Sequence, residues 1–167
     1  MPATPADLMG MLARLGIATT TVEHVALFTV EQSRSLRGEI PGAHTKNLFL
    51  KDKKGALFLV TAGEHAVLDL KRLHTVIGAS GRLSFGSADL LMEVLGVPPG
   101  AVTPFAALND TGGRVSVILD RALMANPLIN CHPLANTATT TIRAEDLVAF
   151  LAATGHRPAV VPVSGEL

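Results

Sequence analysis

The alternation of apolar and polar positions predicts short helices and strands in mixed order. Apolar residues repeat at helical spacing between Thr4 and Leu15, and Thr4 is suited to cap this first helix. The β-branched run within Thr19 to Val25 predicts a strand. A second helix is predicted from Val30 to Arg37, before the breakers Gly38 and Pro41.

A β-hairpin is the clearest prediction in the first half of the chain. Two apolar segments, Asn47 to Lys51 and Ala56 to Thr61, are joined by a polar four-residue turn. Gly55 closes that turn, where a positive φ is expected.

The rest of the pattern continues the mixture of helices and strands. Helices are predicted over 69–77, 87–95 and 145–153, and strands over 83–85, 115–119, 137–142 and 159–163. The segment from Asn126 to Ala135 is predicted to be irregular. Because no repeat, low-complexity tract or long linker divides the chain, we expect one α+β (mixed α/β) domain over residues 1–167. Its centre is expected to be a mixed β-sheet or partial barrel flanked by helices.

Composition narrows the classes of partner. The formal net charge is +0, and the chain has 6 Phe but no Trp or Tyr. DNA and long single strands are usually held by many cations and by aromatic stacking, so DNA is not an expected partner. Four of the five lysines lie within residues 46–54. This basic stretch could be a solvated hairpin or could make a short RNA contact.

Cysteine content and the apolar runs indicate the compartment. Cys131 is the single cysteine and has no partner for an internal disulfide. The N-terminus lacks the basic-then-apolar pattern of a secretion signal, and no apolar run approaches the roughly 18 to 20 residues needed to cross a bilayer. We therefore expect a cytoplasmic protein with no membrane partner.

Three segments could carry chemistry. Lys46 enters an apolar strand, where a half-buried ammonium needs a partner or a function, although an edge lysine can also carry its charge to water. The segment from Gly100 to Pro104 could aim several N–H groups at one point, or could be an ordinary turn. In the third segment Cys131 precedes His132, but neighbours on an extended chain point apart. A buried, unreactive thiol is the preferred interpretation of Cys131.

Metal and nucleotide cofactors are not expected. The six histidines show no paired ligand spacing such as HExxH, and there is no second cysteine. No GxGxxG or Walker-type phosphate loop occurs. The residues alone therefore leave either a hydrolase or a binding domain.

The order and spacing of these segments resemble the YbaK/ProX family over nearly the whole chain. The resemblance is carried by the runs His44 to Asp52, Gly100 to Pro104, Asn109–Asp110 and Asn130 to Thr140. Members are aminoacyl-tRNA deacylases related to the insertion editing domain of bacterial prolyl-tRNA synthetase. The tract Arg82 to Gly86 makes the chain most similar to the free-standing alanyl-tRNA(Pro) deacylase branch.

The resemblance implies a role for each of ten residues. Lys46, Gly100 and Pro104 match the catalytic positions, Asn47, Ala101, Val102, Thr103 and His132 the substrate contacts, and Lys51 and Arg82 the tRNA contacts. The implied reaction is hydrolysis of mischarged tRNA(Pro), above all Ala-tRNA(Pro), without metal or cofactor. The implied partners are the acceptor end of tRNA(Pro) and prolyl-tRNA synthetase.

Other functions on the same fold stay open. The chain could deacylate Cys- or Ser-tRNA, or could bind tRNA or a synthetase without catalysis. A small-molecule ester or thioester hydrolase is a further alternative.

Overall fold

The protein is built around a β-sheet of eight strands, in a computed structural model that describes residues 1–26 and 40–165. The helix predicted over Val30 to Arg37 lies outside the described residues. The strands are β1 (Thr19–Glu23), β2 (Ala43–Lys51), β3 (Leu57–Gly63), β4 (Ser84–Phe85), β5 (Val115–Asp120), β6 (Leu128–Cys131), β7 (Ala138–Arg143) and β8 (Ala159–Val161).

Helices flank this sheet, and three of them begin within a residue of where the sequence predicts. They are α1 (Pro5–Arg14), α2 (Leu73–Ile77), α3 (Ala88–Leu95), α4 (Arg121–Met124) and α5 (Ala144–Ala153), with 3₁₀ helices at Pro99–Ala101 and Pro104–Asn109. Thr4 caps α1 by accepting the N–H of Asp7, whose carboxylate accepts the N–H of Thr4 in return. Ser87 caps α3, and Gly96 ends it with a φ of 66°.

The sheet is mixed, as predicted. Its strand order is β1-β7-β6-β2-β3-β5-β8, and β4 adds to β2 outside this path. The pairs β2–β6, β3–β5 and β5–β8 are parallel, whereas β1–β7, β6–β7, β2–β3 and β2–β4 are antiparallel. The described strands thus form an open path with helices on both sides, which is the predicted architecture of a flanked mixed sheet.

The predicted hairpin is present as β2 and β3. Gly55 has a φ of 87°, the conformation that the turn requires. The Asp52 carboxylate accepts the backbone N–H groups of Lys54, Ala56 and Ser80 at 2.9 Å each. The bond from Ser80 is the main reason that the pKa of Asp52 is lowered, with smaller contributions from the turn itself. Asp52 therefore ties the hairpin turn to the chain before β4.

One part of the sequence prediction is wrong. The segment from Asn126 to Ala135 was expected to be irregular, but residues Leu128–Cys131 form β6. This four-residue strand pairs in parallel with β2 and antiparallel with β7. β2 is distant in sequence, and four residues are too few for a clear alternation, so the strand leaves little local pattern. The helix predicted from Asp69 is also shorter, since α2 begins at Leu73.

Alternation along the central strands sends side chains into two cores. Phe49 and Leu59 belong to the larger core with α1, α3, α5 and the 3₁₀ helices, where the rings of Phe105 and Phe150 pack edge to face. Leu50 belongs to the smaller core with α2. Side chains alternate along a strand, and Lys46 is four residues before Leu50. Lys46 therefore faces the same side of the sheet as Leu50, which is the side of the smaller core. No helix in the described ranges is long and apolar enough to cross a membrane.

Candidate active site at a fork in the sheet

The sheet forks where β2 separates from β6. Only the first two residues of β2, Ala43 and His44, pair with β6, and β4 reaches β2 again at Leu50. Between these points no described strand pairs with that edge of β2. Gly42 permits the close approach at the base of the fork, because a Cβ there would lie 2.9 Å from the Cβ of Leu128, and its φ is 105°.

Polar side chains hold the base of this fork. The Thr45 hydroxyl donates to the carbonyl of Asn130 at 2.8 Å. The buried Asn130 amide accepts from the hydroxyl of Thr141 at 2.5 Å and donates to the carbonyl of Pro41 at 3.0 Å. Because both ends of the amide are used, this network fixes β2, β6 and β7 against one another.

Lys46 lies on the open edge of β2, immediately above the fork. It is half-buried, opposite Ala62 of β3, and its Nζ donates to the carbonyl oxygen of Ala66 in the turn after β3. An ammonium group has three donors, and this bond to Ala66 uses one of them. The ammonium is thus anchored to the turn after β3 and has donors to spare, while the backbone of Lys46 borders the unpaired edge of β2.

Asn47, the next residue of β2, points to the opposite face of the sheet and contacts its partner strand β3. Its Oδ1 accepts the hydroxyl of the fully buried Thr61 at 2.5 Å. Within the described residues its Nδ2 makes no hydrogen bond, so this donor is available to a ligand. Lys46 and Asn47 therefore project to different sides of β2 and come within reach of one ligand only at the edge itself.

The loop from Gly100 to Pro104 links the two 3₁₀ helices against the larger core. Ala101, Thr103 and Pro104 are buried, and Val102 is partly exposed. Ala101 donates its N–H to the carbonyl of Pro98 at 2.9 Å, while Pro104 has no N–H. The Thr103 hydroxyl caps the second 3₁₀ helix by accepting the N–H of Phe105 at 3.4 Å. The N–H groups of Gly100, Val102 and Thr103 have no such intramolecular partner in the described chain.

This loop lies against the segment that follows His132. A Cβ on Gly100 would stand 3.3 Å from Nδ2 of Asn136. Leu134, between His132 and Asn136, has a φ of 69°, which a bulky residue rarely adopts. Such backbone strain persists only where surrounding contacts impose it, and it is common at functional sites. The structure thus brings two of the predicted segments together.

His132 is oriented by the backbone and faces a second histidine. Its Nδ1 donates to the carbonyl of Ala138 at 2.9 Å, which leaves Nε2 for another partner. The His24 ring lies 6.3 Å away and is bonded through Nε2 to the Thr139 hydroxyl at 2.9 Å. A cavity of about 410 Å³ opens beside His24, lined by Pro5, Glu23, His24, Pro133, Ala135, Thr137 and Ala138.

The structure places Cys131 in the core. Its side chain is buried, and burial raises the pKa of its thiol to about 12, although a bond from the Thr45 hydroxyl at 3.7 Å opposes this shift. A thiol with such a pKa supplies almost no thiolate at neutral pH. The predicted burial of Cys131 is therefore confirmed, and the raised pKa supports the prediction that its thiol is unreactive.

The two residues predicted to contact tRNA lie on the same side of the hairpin. Lys51 pairs with Ser84 of β4, and Arg82 is two residues before Ser84. The N–H of Lys53 bonds the carbonyl of Ser80 at 3.0 Å, which draws the turn toward this segment. Lys51, Lys53 and Arg82 are all exposed. Together they form a basic patch around the hairpin turn.

The described contacts do not join every predicted residue. Gly100 meets the segment after His132, and Lys51 meets the segment of Arg82, but no hydrogen bond in the described chain links Lys46 to residues 100–104. The sequence interpretation also missed His24, Thr61 and Asn136. None of the three belongs to a spacing motif, so only the fold reveals them. Among the described residues, no three His, Cys, Asp or Glu side chains are grouped as metal ligands.

Asp110, part of the family-like run with Asn109, has a structural role. Its carboxylate accepts the N–H groups of Arg114 and Val115 and bonds Nε2 of the buried His156 at 2.8 Å. Burial opposes its ionisation, but the bond to His156 and those to the backbone outweigh burial and lower the pKa of Asp110. This pair ties the second 3₁₀ helix to the chain after α5.

Comparison with known proteins places the chain in a family. A model of the aminoacyl-tRNA editing domain matches residues 24–150. The chain is 37% identical over 150 residues to the prolyl-tRNA editing protein ProX of Acetoanaerobium sticklandii, covering 89% of this chain and 91% of that one. It is 41% identical over 157 residues to prolyl-tRNA synthetase associated domain-containing protein 1 of Danio rerio, covering 93% and 85%.

A solved structure supports the fold independently. A crystal structure of a proposed trans-editing enzyme for prolyl tRNA synthetase superposes with a TM-score of 0.70, at 21% identity, over 97% of this chain and 99% of the other. At that identity the likeness concerns the fold alone. Together with the family match and the relatives above, it confirms the resemblance inferred from the sequence. The chain belongs to the family of aminoacyl-tRNA editing domains.

Proposed function

We propose that this protein is a trans-acting hydrolase that cleaves the ester between a wrong amino acid and tRNA(Pro), with Ala-tRNA(Pro) as its main substrate. The observation that carries the proposal is Lys46, a half-buried lysine beside the fork whose ammonium bonds only the carbonyl of Ala66 among the described residues and so keeps donors free for a ligand. The family and the 37% identity to a prolyl-tRNA editing protein supply the substrate class. A protein that edits newly charged tRNA would act in the cytoplasm.

The reaction adds water across the aminoacyl ester. The water oxygen bonds the carbonyl carbon, the bond from that carbon to the ribose oxygen breaks, and the ribose oxygen takes up a proton. Negative charge develops on the carbonyl oxygen, and the Lys46 ammonium stabilises that charge while protonated. The neighbouring hydroxyl of the terminal ribose helps to position the water, so the protein mainly orients groups and stabilises charge.

The loop from Gly100 to Pro104 supplies further donors and one wall. The N–H groups of Gly100, Val102 and Thr103 are the donors that could meet the carbonyl or the water, because Ala101 is already bonded and Pro104 has none. Gly100 allows a close backbone approach, and Pro104 fixes the end of the loop. Since Ala101 packs in the larger core and Lys46 faces the smaller one, the ester would lie at the fork, where both faces are accessible.

The remaining predicted residues would hold the two ends of the substrate. The free Nδ2 of Asn47 and Nε2 of His132 are polar atoms available to the aminoacyl group or the terminal adenosine. Lys51 and Arg82 would meet phosphates of the acceptor end. A few such contacts give weak, salt-dependent affinity, which suits an enzyme that samples tRNA released from prolyl-tRNA synthetase.

Selectivity would come from excluding the proline ring. Alanine is smaller than proline, and a synthetase pocket gains only about 1 to 3 kcal/mol of discrimination for each missing methylene. A second site that admits alanine and rejects proline removes the resulting error. Small apolar walls from Ala101 and Val102 fit that requirement.

A deacylation panel tests the proposal. Wild-type protein is incubated with Ala-, Ser-, Cys- and Pro-tRNA(Pro), beside Lys46→Ala and the control Lys71→Ala, which removes an exposed lysine outside the basic stretch. We expect fast loss of alanine, slow loss of proline, an inactive Lys46→Ala and an active Lys71→Ala. Wild-type rates in Lys46→Ala would refute the assigned role, and rapid loss of proline would refute the editing function.

A further inference from the structure

Phe85 is an exposed aromatic side chain in a protein that has few aromatic residues. The chain contains 6 Phe and no Trp or Tyr. Phe49, Phe58, Phe105 and Phe150 are 0% to 6% exposed, whereas Phe85 is 61% exposed. Phe85 is thus the one exposed phenylalanine of the described chain.

The backbone that carries Phe85 is firmly anchored. Phe85 pairs with Leu50 of β2, and the N–H of Gly86 donates to the carbonyl of Phe49 at 2.9 Å. A Cβ on Gly86 would stand 2.4 Å from the Phe49 ring, so only glycine fits there. Together with the Asp52 clamp on Ser80, these contacts fix both ends of the short segment. The ring is therefore presented by a rigid support, which limits the entropy lost on binding.

Positive charge surrounds this support. Lys51, Lys53 and Arg82 are exposed, and none of them forms an ion pair within the described residues. Asp52 lies between two of these residues in sequence and is ionised, since backbone N–H groups lower its pKa, but it is buried and forms no ion pair with them. Three exposed cations against one buried carboxylate leave the patch with a net positive charge. An aromatic ring beside unpaired cations is the arrangement by which proteins hold single-stranded nucleic acid.

Phe85 also lies on the face of the sheet that carries Lys46. Phe85 is paired directly with Leu50, so their side chains lie on the same face. Leu50 and Lys46 are four residues apart on β2, so they also point to the same face. Four residues of strand separate Lys46 from Leu50, or about 13 Å. A few nucleotides of single strand span this distance. If the terminal ester is held at Lys46, an unpaired base just before the terminal adenosine comes within reach of the ring.

We propose that Phe85 is a stacking platform for an unpaired nucleotide at the 3′ end of the tRNA substrate. The base lies on the Phe85 ring, and the adjoining phosphates contact Lys51 and Arg82 where the backbone crosses the edge formed by β2 and β4. The proposal rests on the proposed function for the identity of the RNA. Stacking tolerates any base, so Phe85 would contribute affinity for the RNA and fix the position of its 3′ end. Discrimination between amino acids would come from the residues at the fork.

A tryptophan at this position reports stacking without any need for catalysis. Phe85→Trp creates the only Trp in the chain, so its fluorescence reads this site alone. The probe is an uncharged RNA hairpin with four unpaired 3′ nucleotides, compared with the same hairpin lacking them. We expect strong quenching by the first and weak quenching by the second. Equal quenching by both, or none by either, would overturn the stacking role.

Kinetics separate a stacked ring from a merely apolar one. In deacylation of the charged tRNA, Phe85→Leu should raise KM roughly tenfold with little change in kcat, as expected for losing one base stacked on a ring. Phe85→Trp should keep the wild-type KM. The control Val160→Ala removes an exposed apolar side chain on β8, at the far end of the sheet, and should change neither constant. A wild-type KM in Phe85→Leu would refute the proposal.

The two proposals fail in different ways. If wild-type protein hydrolyses no charged tRNA but the overhang still quenches Phe85→Trp, the proposed function fails and the stacking platform stands. If hydrolysis is normal but quenching and the KM effect are absent, the platform alone fails. If Phe85→Leu instead weakens binding to prolyl-tRNA synthetase and leaves RNA affinity unchanged, Phe85 is a protein contact and the stacking role is refuted.

Discussion

Asp110 and Lys46 are both charged and both withdrawn from water, but their surroundings differ. Asp110 is 3% exposed, and its two oxygens take bonds from the N–H groups of Arg114 and Val115 and from His156. Lys46 is half-buried and makes one described bond, to the carbonyl of Ala66. The Asp110 carboxylate is fully hydrogen-bonded within the protein, whereas the Lys46 ammonium has hydrogen-bond donors without a described partner.

This difference separates a structural polar group from a functional one. A buried charge is costly unless hydrogen bonds satisfy it, so a fully bonded carboxylate such as Asp110 is explained by folding alone. The spare donors of Lys46, at a strand edge that no described strand covers, are not explained by folding. They suit a group that bonds a ligand, and the comparison therefore predicts opposite effects of mutation at the two sites.

The largest effect is expected for Asp110→Ala, on stability. Removing one partner of a buried pair leaves His156 and two backbone N–H groups without their acceptor, which should lower the free energy of unfolding by about 3 to 5 kcal/mol. Urea unfolding measures this loss. Glu93→Ala is the matched control, since its bridge to Arg114 is exposed and should contribute at most about 1 kcal/mol. Equal losses in the two variants would contradict the structural role of Asp110.

Lys46→Met should show the reverse pattern. Methionine keeps the apolar stem but removes the charge, so deacylation should fall about 100-fold, equivalent to about 2.7 kcal/mol of transition-state stabilisation. The free energy of unfolding should change by less than about 0.5 kcal/mol, because the ammonium makes only one bond in the folded protein. Single-turnover deacylation and urea unfolding of the same preparation give both numbers. A destabilised but active variant would mean that Lys46 is structural.

Sequence reasoning predicted what depends on local pattern. The Thr4 cap, the positive φ at Gly55 and the hairpin all follow from neighbouring residues, and the structure confirms them. Lys46 and the loop from Gly100 to Pro104 also stood out from the residues alone, and the family resemblance added their catalytic roles, which stay predictions. What local pattern could not give was the face of the sheet on which each residue lies.

The fork itself depends on contacts between distant segments. β6 was missed because it is only four residues long and gains part of its pairing from β2, far away in the chain, although its other partner β7 follows after a short loop. The Asp110–His156 pair joins residues 46 positions apart, and Gly100 meets Asn136 across a similar separation. No spacing motif encodes such pairs. The exposure of Phe85 was also hidden, because a lone phenylalanine in a predicted strand is expected to be buried.

Acid should weaken the Asp110 site in a measurable way. The pKa of Asp110 is lower in the folded protein than the ordinary value of about 3.9, so its contribution to stability is complete above that value and declines as the pH falls through the folded pKa. The stability difference between wild type and Asp110→Asn should therefore shrink between pH 5 and pH 2. Urea unfolding of both proteins at intervals of one pH unit measures this difference in the free energy of unfolding. A constant difference would contradict the lowered pKa.

The smallest effect is expected at Cys131, which adjoins the fork but is enclosed like Asp110. Because burial raises its pKa to about 12, iodoacetamide at pH 8 should label the native protein far more slowly than the urea-unfolded chain. Cys131→Ala should keep wild-type deacylation and lose about 1 kcal/mol of stability, as for a small cavity. Rapid labelling of the native thiol, with loss of activity, would place Cys131 with Lys46 among the functional groups. Slow labelling with intact activity would leave the open edge of β2 as the reactive side of the fork.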